Sequence, residues 1–352
     1  MYLKKTIPLL LVILLTASCS GKSRAYEISD YYFKSASAPR NYFQLHDDVK
    51  IMQLSDLHFS NYDDLNEDFA FIDLMVKEAL PDLMIITGDC FTFADTRIVD
   101  KVFDFFNKEA IDYDFYWDIT LGNHDEQIYG PYSYFSDKAS SESRCLLNYH
   151  KDDRLTGIGN SIINLYNPIS NNLEFQIFVI DSNSYTYTPN GYDYVHEDQI
   201  EWYKKGIIEG NQQVDPNWKV GDEPKVKSLI YQHIPLVEYK DAYSAYLKGE
   251  ATGRCDVEEE MSPSEYNSGF YQVIKEYRST IGMFVGHNHE NSMDIIYQGF
   301  HFGYGVKSTD NMYYDKNHIG YSLVTLKPTL DPSSYTDFAS SAHYHSYSEV
   351  TK

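Results

Sequence analysis

Short apolar runs alternate along this chain with stretches in which apolar side chains recur every three or four positions, and that alternation sets the expected element order. Val49-Lys50-Ile51-Met52-Gln53-Leu54 reads as the second strand of a hairpin over residues 42–54. Asn66 to Leu80 places Phe69, Ile72, Met75, Val76 and Leu80 at helical spacing and stops at Pro81. Leu83-Met84-Ile85-Ile86 is continuously apolar, as a strand covered on both faces should be. A second helical stripe (Val99, Val102, Phe103, Phe106, Ala110) fills Arg97 to Ile111, and Phe115 to Thr120 reads as the next strand. Strand, helix, strand, helix, strand predicts an α/β domain with neighbouring parallel strands.

Further on, Phe175 to Ile180 predicts a strand, Ser182 to Tyr194 a loop, Glu197 to Ile208 a helix, and Asn211 to Lys225 a polar loop. Val226 to Tyr231 predicts another buried strand, followed by an irregular acidic stretch from Tyr239 to Ser262 and a helix over Pro263 to Ser279. Gly282 to Val285 is a strand, and Met293 to Tyr297, Phe300 to Gly305 and Gly320 to Leu326 read as closing strands of a second sheet. From Pro328 the composition is that of a polar tail.

Five polar clusters each follow an apolar run: Ser55-Asp56-Leu57-His58, Thr87-Gly88-Asp89, Gly122-Asn123-His124-Asp125, Gln232-His233 and Gly286-His287-Asn288-His289. In open α/β sheets the carboxyl ends of strands share one edge, where ligands bind, so residues two hundred positions apart can meet there. Asp56 and His58, like His287 and His289, are two apart and in extended chain project to one side. Histidine, aspartate and asparagine together form a nitrogen and oxygen set suited to Mn, Fe, Zn or Co. Gly122 is expected to turn the chain sharply at its strand end.

A net charge of -23 over 352 residues argues against a nucleic-acid duplex or an anionic membrane surface as partner. Metal ions would reverse that potential locally for a phosphorylated substrate. Lys4 and Lys5 precede an apolar run from Ile7 to Leu15 and then Cys19, a secretory signal too short for a transmembrane span. Leu15-Thr16-Ala17-Ser18-Cys19 resembles a lipobox, which implies an exported, cell-envelope lipoprotein anchored through Cys19, with ordinary secretion as the alternative. The expected organisation is a signal over 1–19, a polar tether over 20–40, one domain over 41–327 and a polar tail over 328–352. Cys90, Cys145 and Cys255 form no framework or zinc knuckle, though one bridge is open to them, and Cys90 is expected to be buried packing.

The blocks DxH, GD, GNH(D/E), H and GHxH, spanning Asp56 to His289 in that order, resemble the calcineurin-like metallophosphoesterase superfamily. Tyr231-Gln232-His233-Ile234-Pro235-Leu236, Ile180 to Tyr185, Gln199 to Tyr203 and Gly303-Tyr304-Gly305 look like the branch related to small purple acid phosphatases. Cys90 and Phe91 stand downstream of the GD block where those enzymes carry a tyrosine ligand, so no tyrosinate colour and no fixed ferric iron is expected. The resemblance implies a four-layer α/β/β/α sandwich with two divalent metal ions at the strand ends. Asp56, His58 and His289 would hold one ion, Asn123, His233 and His287 the other, and Asp89 would bridge. It also implies hydrolysis of phosphomonoesters or phosphodiesters by a hydroxide between metals roughly 3.5–4 Å apart. His124 would protonate the leaving group, its tautomer fixed by Asp125 or by the rival Asp95. Lys307 is a candidate substrate contact, and Tyr185, Tyr187, Tyr192 and Tyr304 are candidate rim aromatics. A nucleotidase or nucleotide pyrophosphatase, or a non-catalytic binding lipoprotein on the same scaffold, are the alternatives.

Overall fold

The computed structural model of the chain describes residues 40–44, 48–147, 155–166, 172–187, 190–327 and 337–350. The segment expected to be a signal, with Cys19, lies outside the described residues.

In chain order the elements are β1 (Arg40–Gln44), β2 (Val49–Leu54), α1 (Leu65–Ala79), β3 (Leu83–Thr87), α2 (Thr96–Asp112), β4 (Tyr116–Thr120) and α3 (Tyr132–Ser141). There follow β5 (Ser161–Tyr166), β6 (Leu173–Val179), β7 (Tyr185–Tyr187), β8 (Asn190–Tyr192), α4 (Glu197–Val214), β9 (Lys227–Tyr231) and α5 (Glu238–Leu247). The chain closes with β10 (Thr252–Val257), α6 (Phe270–Tyr277), β11 (Thr280–Val285), β12 (Asn291–Tyr297), β13 (Phe300–Tyr304), β14 (Gly320–Lys327) and β15 (Asp337–Tyr344).

Two sheets carry the fold. One has the order β15-β14-β2-β3-β4 and the other β1-β5-β6-β9-β11-β13-β12-β10. β2, β3 and β4 run parallel, with α1 and α2 as crossovers, as the alternating pattern predicts. Asp64 caps α1 by accepting from the Asn66 amide at 3.1 Å, and Asp95 caps α2 by accepting from Arg97 and Ile98. Alternate residues of each strand enter different cores. Met84 and Ile86 face the core under α1, α2 and α3, whereas Leu83 and Ile85 face the core between the sheets. On the other sheet Ile177 and Val179 point inward to that same shared core, and Phe178 points out beneath α4. Helices, sheet, sheet, helices is the four-layer sandwich that the resemblance implies.

Several local expectations are corrected. Residues 42–54 form no hairpin, because β1 pairs in parallel with β5 and β2 belongs to the other sheet. β14 joins β2 in antiparallel register, so it closes the first sheet rather than the second. The acidic stretch after Tyr239 contains α5 and β10. The helix stripe there is built from Tyr239, Ala242 and Ala245, and β10 is a half-exposed edge strand of sequence TGRCDV. The segment expected to be a polar tail supplies β15, whose whole length pairs with β14. α4 runs to Val214, further than Ile208. α6 starts only at Phe270, after Gly269 takes a left-handed φ of 77°. Among the described residues Cys90, Cys145 and Cys255 are all unbridged, and Cys90 is buried. No described helix is long and apolar enough to cross a membrane.

Candidate metal centre

All five polar clusters sit at the carboxyl ends of parallel strands, Asp56 and His58 after β2, Asp89 after β3, Asn123 and His124 after β4, His233 after β9, and His287 and His289 after β11. The loops are coiled rather than extended, which corrects the alternation argument. Asp56, His58, Asp89 and His287 have φ of 54°, 50°, 50° and 78°. Non-glycine residues in that left-handed region cost on the order of 1–3 kcal/mol each, and such strain gathers at functional sites. Backbone bonds between the loops hold the conformation: Asp56 N donates to Gly88 O at 3.2 Å, His58 N to Asp89 O at 2.8 Å, and Gly286 N to His233 O at 3.1 Å.

Gly122 serves close approach rather than an unusual turn. A Cβ there would lie 2.3 Å from Asp89 Oδ1 and 2.4 Å from Asp89 N. Gly286 does the same for the opposite wall, where a Cβ would lie 2.0 Å from Ser55 Oγ and 2.8 Å from Asp56 Oδ2.

The clustered side chains form two groups that share one carboxylate. Asp56, His58, Asp89 and His289 bring ligand atoms within 4.8 Å of one another, as do Asp89, His233 and His287. Asp89 Oδ2 lies 3.7 Å from His58 Nε2 and 3.2 Å from His233 Nε2. His289 Nε2 is 3.5 Å from Asp56 Oδ1 and 2.9 Å from His58 Nε2. Asn123 Oδ1 joins the second group, 3.2 Å from His233 Nε2.

The far side of each of three rings is held by a specific partner. His58 Nδ1 meets Thr92 Oγ1 at 2.6 Å, His289 Nδ1 meets Tyr313 O at 2.8 Å, and His233 Nδ1 meets Thr87 O at 2.8 Å. A carbonyl only accepts, so in His289 and His233 the proton belongs on Nδ1 and the Nε2 atom turns toward the cluster.

Charge on the rings fits a cation. Burial holds His58 well below the ordinary imidazole range, assisted by the positive charge of Lys307. Burial, then the charge of His233, pulls His287 down to about 3, and burial, then Lys307, pulls His289 down to about 2. His233 is the exception: burial lowers it, but Asp89 outweighs this and lifts it to about 9. Burial alone would raise Asp89, yet the neighbouring His233 charge holds it well below the carboxylate range. Three neutral imidazoles around an ionised carboxylate, with one proton wedged at His233, is a donor set that two divalent ions fit.

Three sequence assignments change. Asp125 is fully buried, and its oxygens accept from Phe91 N at 2.8 Å and Gly122 N at 2.7 Å. It therefore ties the GD and GNH loops together, and its hydrogen bonds leave the His124 ring alone. Asp95 caps α2 and pairs with Arg97. His124 itself is half-buried, donates its backbone amide to Asp89 Oδ1 at 2.7 Å, and leaves Nδ1 without a protein partner. Its ring stands edge-on to His58 at 5.1 Å between centroids. Lys307, a candidate substrate contact in the sequence, is instead buried with Nζ donating to Asp56 O at 2.5 Å.

Tyr192 packs edge-on against His287 at 4.3 Å, and Tyr313 stacks on His289 at 4.1 Å. Tyr304 is buried, its hydroxyl bonded to Asn288 Oδ1, so it lines no rim. Sequence reasoning misses Thr92 and Tyr313. Thr92 lies three residues past the GD block, a usable signal, whereas Tyr313 acts through its backbone carbonyl and leaves none.

The sequence profile of the calcineurin-like phosphoesterases matches residues 49–291. The Arabidopsis thaliana protein named probable inactive purple acid phosphatase 14 is 25% identical over 284 residues, covering 72% of this chain and 69% of that protein. Probable inactive purple acid phosphatase 29 of the same plant is 24% identical over 290 residues, covering 75% and 72%. A dimetal phosphatase of Danio rerio aligns over 83% of this chain and 99% of its own with 10% identity and a TM-score of 0.49, a likeness too remote to bear on chemistry. The profile spans well over half of the chain, which therefore belongs to the calcineurin-like phosphoesterase family and is a hydrolase of phosphoric ester bonds.

Proposed function

We propose that this chain is a two-metal phosphoesterase acting on phosphorylated small molecules or surface groups outside the cytoplasm. Asp56, His58 and His289 hold one ion, Asn123, His233 and His287 the other, and Asp89 serves both. The observation that supports this is the convergence of these seven buried side chains from five strand ends, with ring nitrogens turned inward. The mixed nitrogen and oxygen set favours Mn, Fe, Zn or Co. Such ions supply Lewis acidity toward the phosphoryl oxygens and lower the pKa of water.

His124 stands beside the two groups, its ring edge-on to His58 at 5.1 Å, and is the residue that would hydrogen-bond a phosphoryl oxygen and hand a proton to the leaving oxygen. Asp125 serves that step indirectly by locking the loop on which His124 sits. The rim is acidic and aromatic, with Glu259 accepting from the Tyr313 hydroxyl at 3.2 Å, which disfavours polyanionic substrates and duplex nucleic acid. Export is the reading that the basic and apolar N-terminus supports, with attachment through Cys19 supported by the lipobox-like Leu15-Thr16-Ala17-Ser18-Cys19 and ordinary secretion as the alternative.

A second reading, a nucleotidase or nucleotide pyrophosphatase, is favoured by the rings of Tyr192 and Tyr313 against the outermost histidines. Non-catalytic binding is the contrasting case, since both plant relatives are named probable inactive phosphatases. The test is hydrolysis of p-nitrophenyl phosphate, bis-p-nitrophenyl phosphate and a nucleotide panel by protein reconstituted with Mn. Turnover of either chromogenic ester supports the phosphoesterase reading, preference for nucleotides selects the second, and no turnover of any overturns both.

A further inference from the structure

We infer, resting on the dinuclear reading above, that Asn311 is a positioning residue for the first ion, the one assigned to Asp56, His58 and His289. Asp68 and the turn at Tyr347–Glu349 hold Asn311 in place. Asp56 and His58 both sit at left-handed φ, 54° and 50°, with Leu57 between them. Such a backbone persists only where its surroundings fix the peptide planes. The plane that joins Leu57 to His58 is fixed from both sides. His58 N donates to Asp89 O at 2.8 Å, while Leu57 O accepts from Thr309 Oγ1 at 2.7 Å and from Asn311 Nδ2 at 3.0 Å.

The direction of the Asn311 amide is set by its partners. Leu57 O only accepts, so the amino end must face it, and the second amino hydrogen goes to Asp68 Oδ2 at 3.2 Å. Asp68 stands in the first turn of α1, is buried, and takes the Tyr347 hydroxyl on its other oxygen at 2.7 Å. The Tyr347 ring stacks on Phe71 of the same helix at 4.2 Å. Two residues beyond Asn311, the Tyr313 carbonyl holds the ring of His289. The segment from Thr309 to Tyr313 thus supports the loop of Asp56 and His58 and the ring of His289, the three ligands that belong to the first ion alone. Loops that carry the second ion's ligands lean elsewhere. Ser184 Oγ donates to Asn123 O at 3.2 Å, and Ser182 Oγ accepts from Ile234 N, next to His233, at 2.9 Å.

Asn311→Leu keeps the size of the side chain and removes its hydrogen bonds, and Tyr347→Phe keeps the stacked ring and removes the hydroxyl. Calorimetric titration of metal-free protein with Mn should show two binding events in the wild type, the first ion's being the one lost in His289→Ala. That event should weaken by roughly 5–20-fold in Asn311→Leu and by roughly 3–10-fold in Tyr347→Phe, with the other event unchanged. In the Asn311→Leu background Tyr347→Phe should weaken it by no more than about 1.5-fold, because the hydroxyl then has no Asn311 to hold through Asp68. A general loss of stability would instead weaken both events and add across the two substitutions. An unchanged first event in either variant overturns the inference. So does equal weakening of both events, or a Tyr347→Phe effect that persists in full without Asn311. A wild type that binds fewer than two ions overturns the dinuclear reading and this inference with it.

Discussion

The two halves of the centre are built differently. Around the first group Thr92 and the carbonyl of the half-exposed Tyr313 hold the rings of His58 and His289, Lys307 holds the Asp56 carbonyl, and the Ser55 hydroxyl bonds its carboxylate. Around the second, His233 rests on the Thr87 carbonyl, but Asn123 depends on the hydroxyl of a half-exposed tyrosine at the rim. The second also carries the proton that Asp89 holds on His233, which a cation must displace. A half whose imidazoles are already neutral beside a half that must shed a proton leads to the expectation that the first ion binds more tightly and the second responds to pH.

Three changes sharpen or break that contrast. Asp89→Asn removes the carboxylate common to both groups and should abolish turnover and release both ions, as read by metal analysis after gel filtration; retention of either ion at full occupancy would separate the halves entirely. His124→Ala should lower kcat by about 10²–10⁴-fold while both ions remain bound. Near-normal turnover in that metal-replete variant would remove His124 from the chemistry. Thr92→Val, which takes the partner from His58 Nδ1, should weaken the first ion by about tenfold and spare the second. An effect on both equally would mean that the halves are not independent.

The smallest expected change concerns stability rather than metal. Asp118 is fully buried between the sheets, and burial lifts its carboxyl to about 7 against the Ser161 hydroxyl and the Ile119 amide. A carboxyl raised in the folded state binds its proton more tightly there than in the unfolded chain. Its stabilisation is whole below about pH 4 and is lost as pH rises through 7, at about 1.4 kcal/mol per pH unit between the two values. Asp118 therefore adds a downward slope to the thermal midpoint of metal-free wild type between pH 5 and pH 8, against the upward slope of the depressed histidines. Asp118→Asn, which can still accept from Ile119 N, should remove that downward slope. An unchanged slope in differential scanning calorimetry would remove Asp118 as its source.

The central strands and all seven candidate ligands are legible in the sequence because buried strands are densely apolar and their polar ends stand out against them. Edge strands lack that contrast. β10 and β15 each have a neighbouring strand on one side only, so TGRCDV and DFASSAHY carry no apolar alternation and resemble irregular chain and tail. β14 is visible as a strand but not as a member of its sheet, since its pairing with β2 joins residues some 270 positions apart and has no local signature. Asp125 shows the same limit at the site. Its place next to His124 in sequence suggests that ring as its partner, yet the turn at residues 125–127 sends its carboxylate to the amides of Phe91 and Gly122. Adjacency in sequence identifies the loop and misidentifies the contact.

The most direct measurement is turnover of bis-p-nitrophenyl phosphate and p-nitrophenyl phosphate as metal-free protein is titrated with Mn, with bound metal counted at each step. If Asp89 joins two unequal halves, turnover stays near background through the first bound equivalent and rises with the second. Full turnover at one bound ion, or none with two bound, would contradict a paired centre.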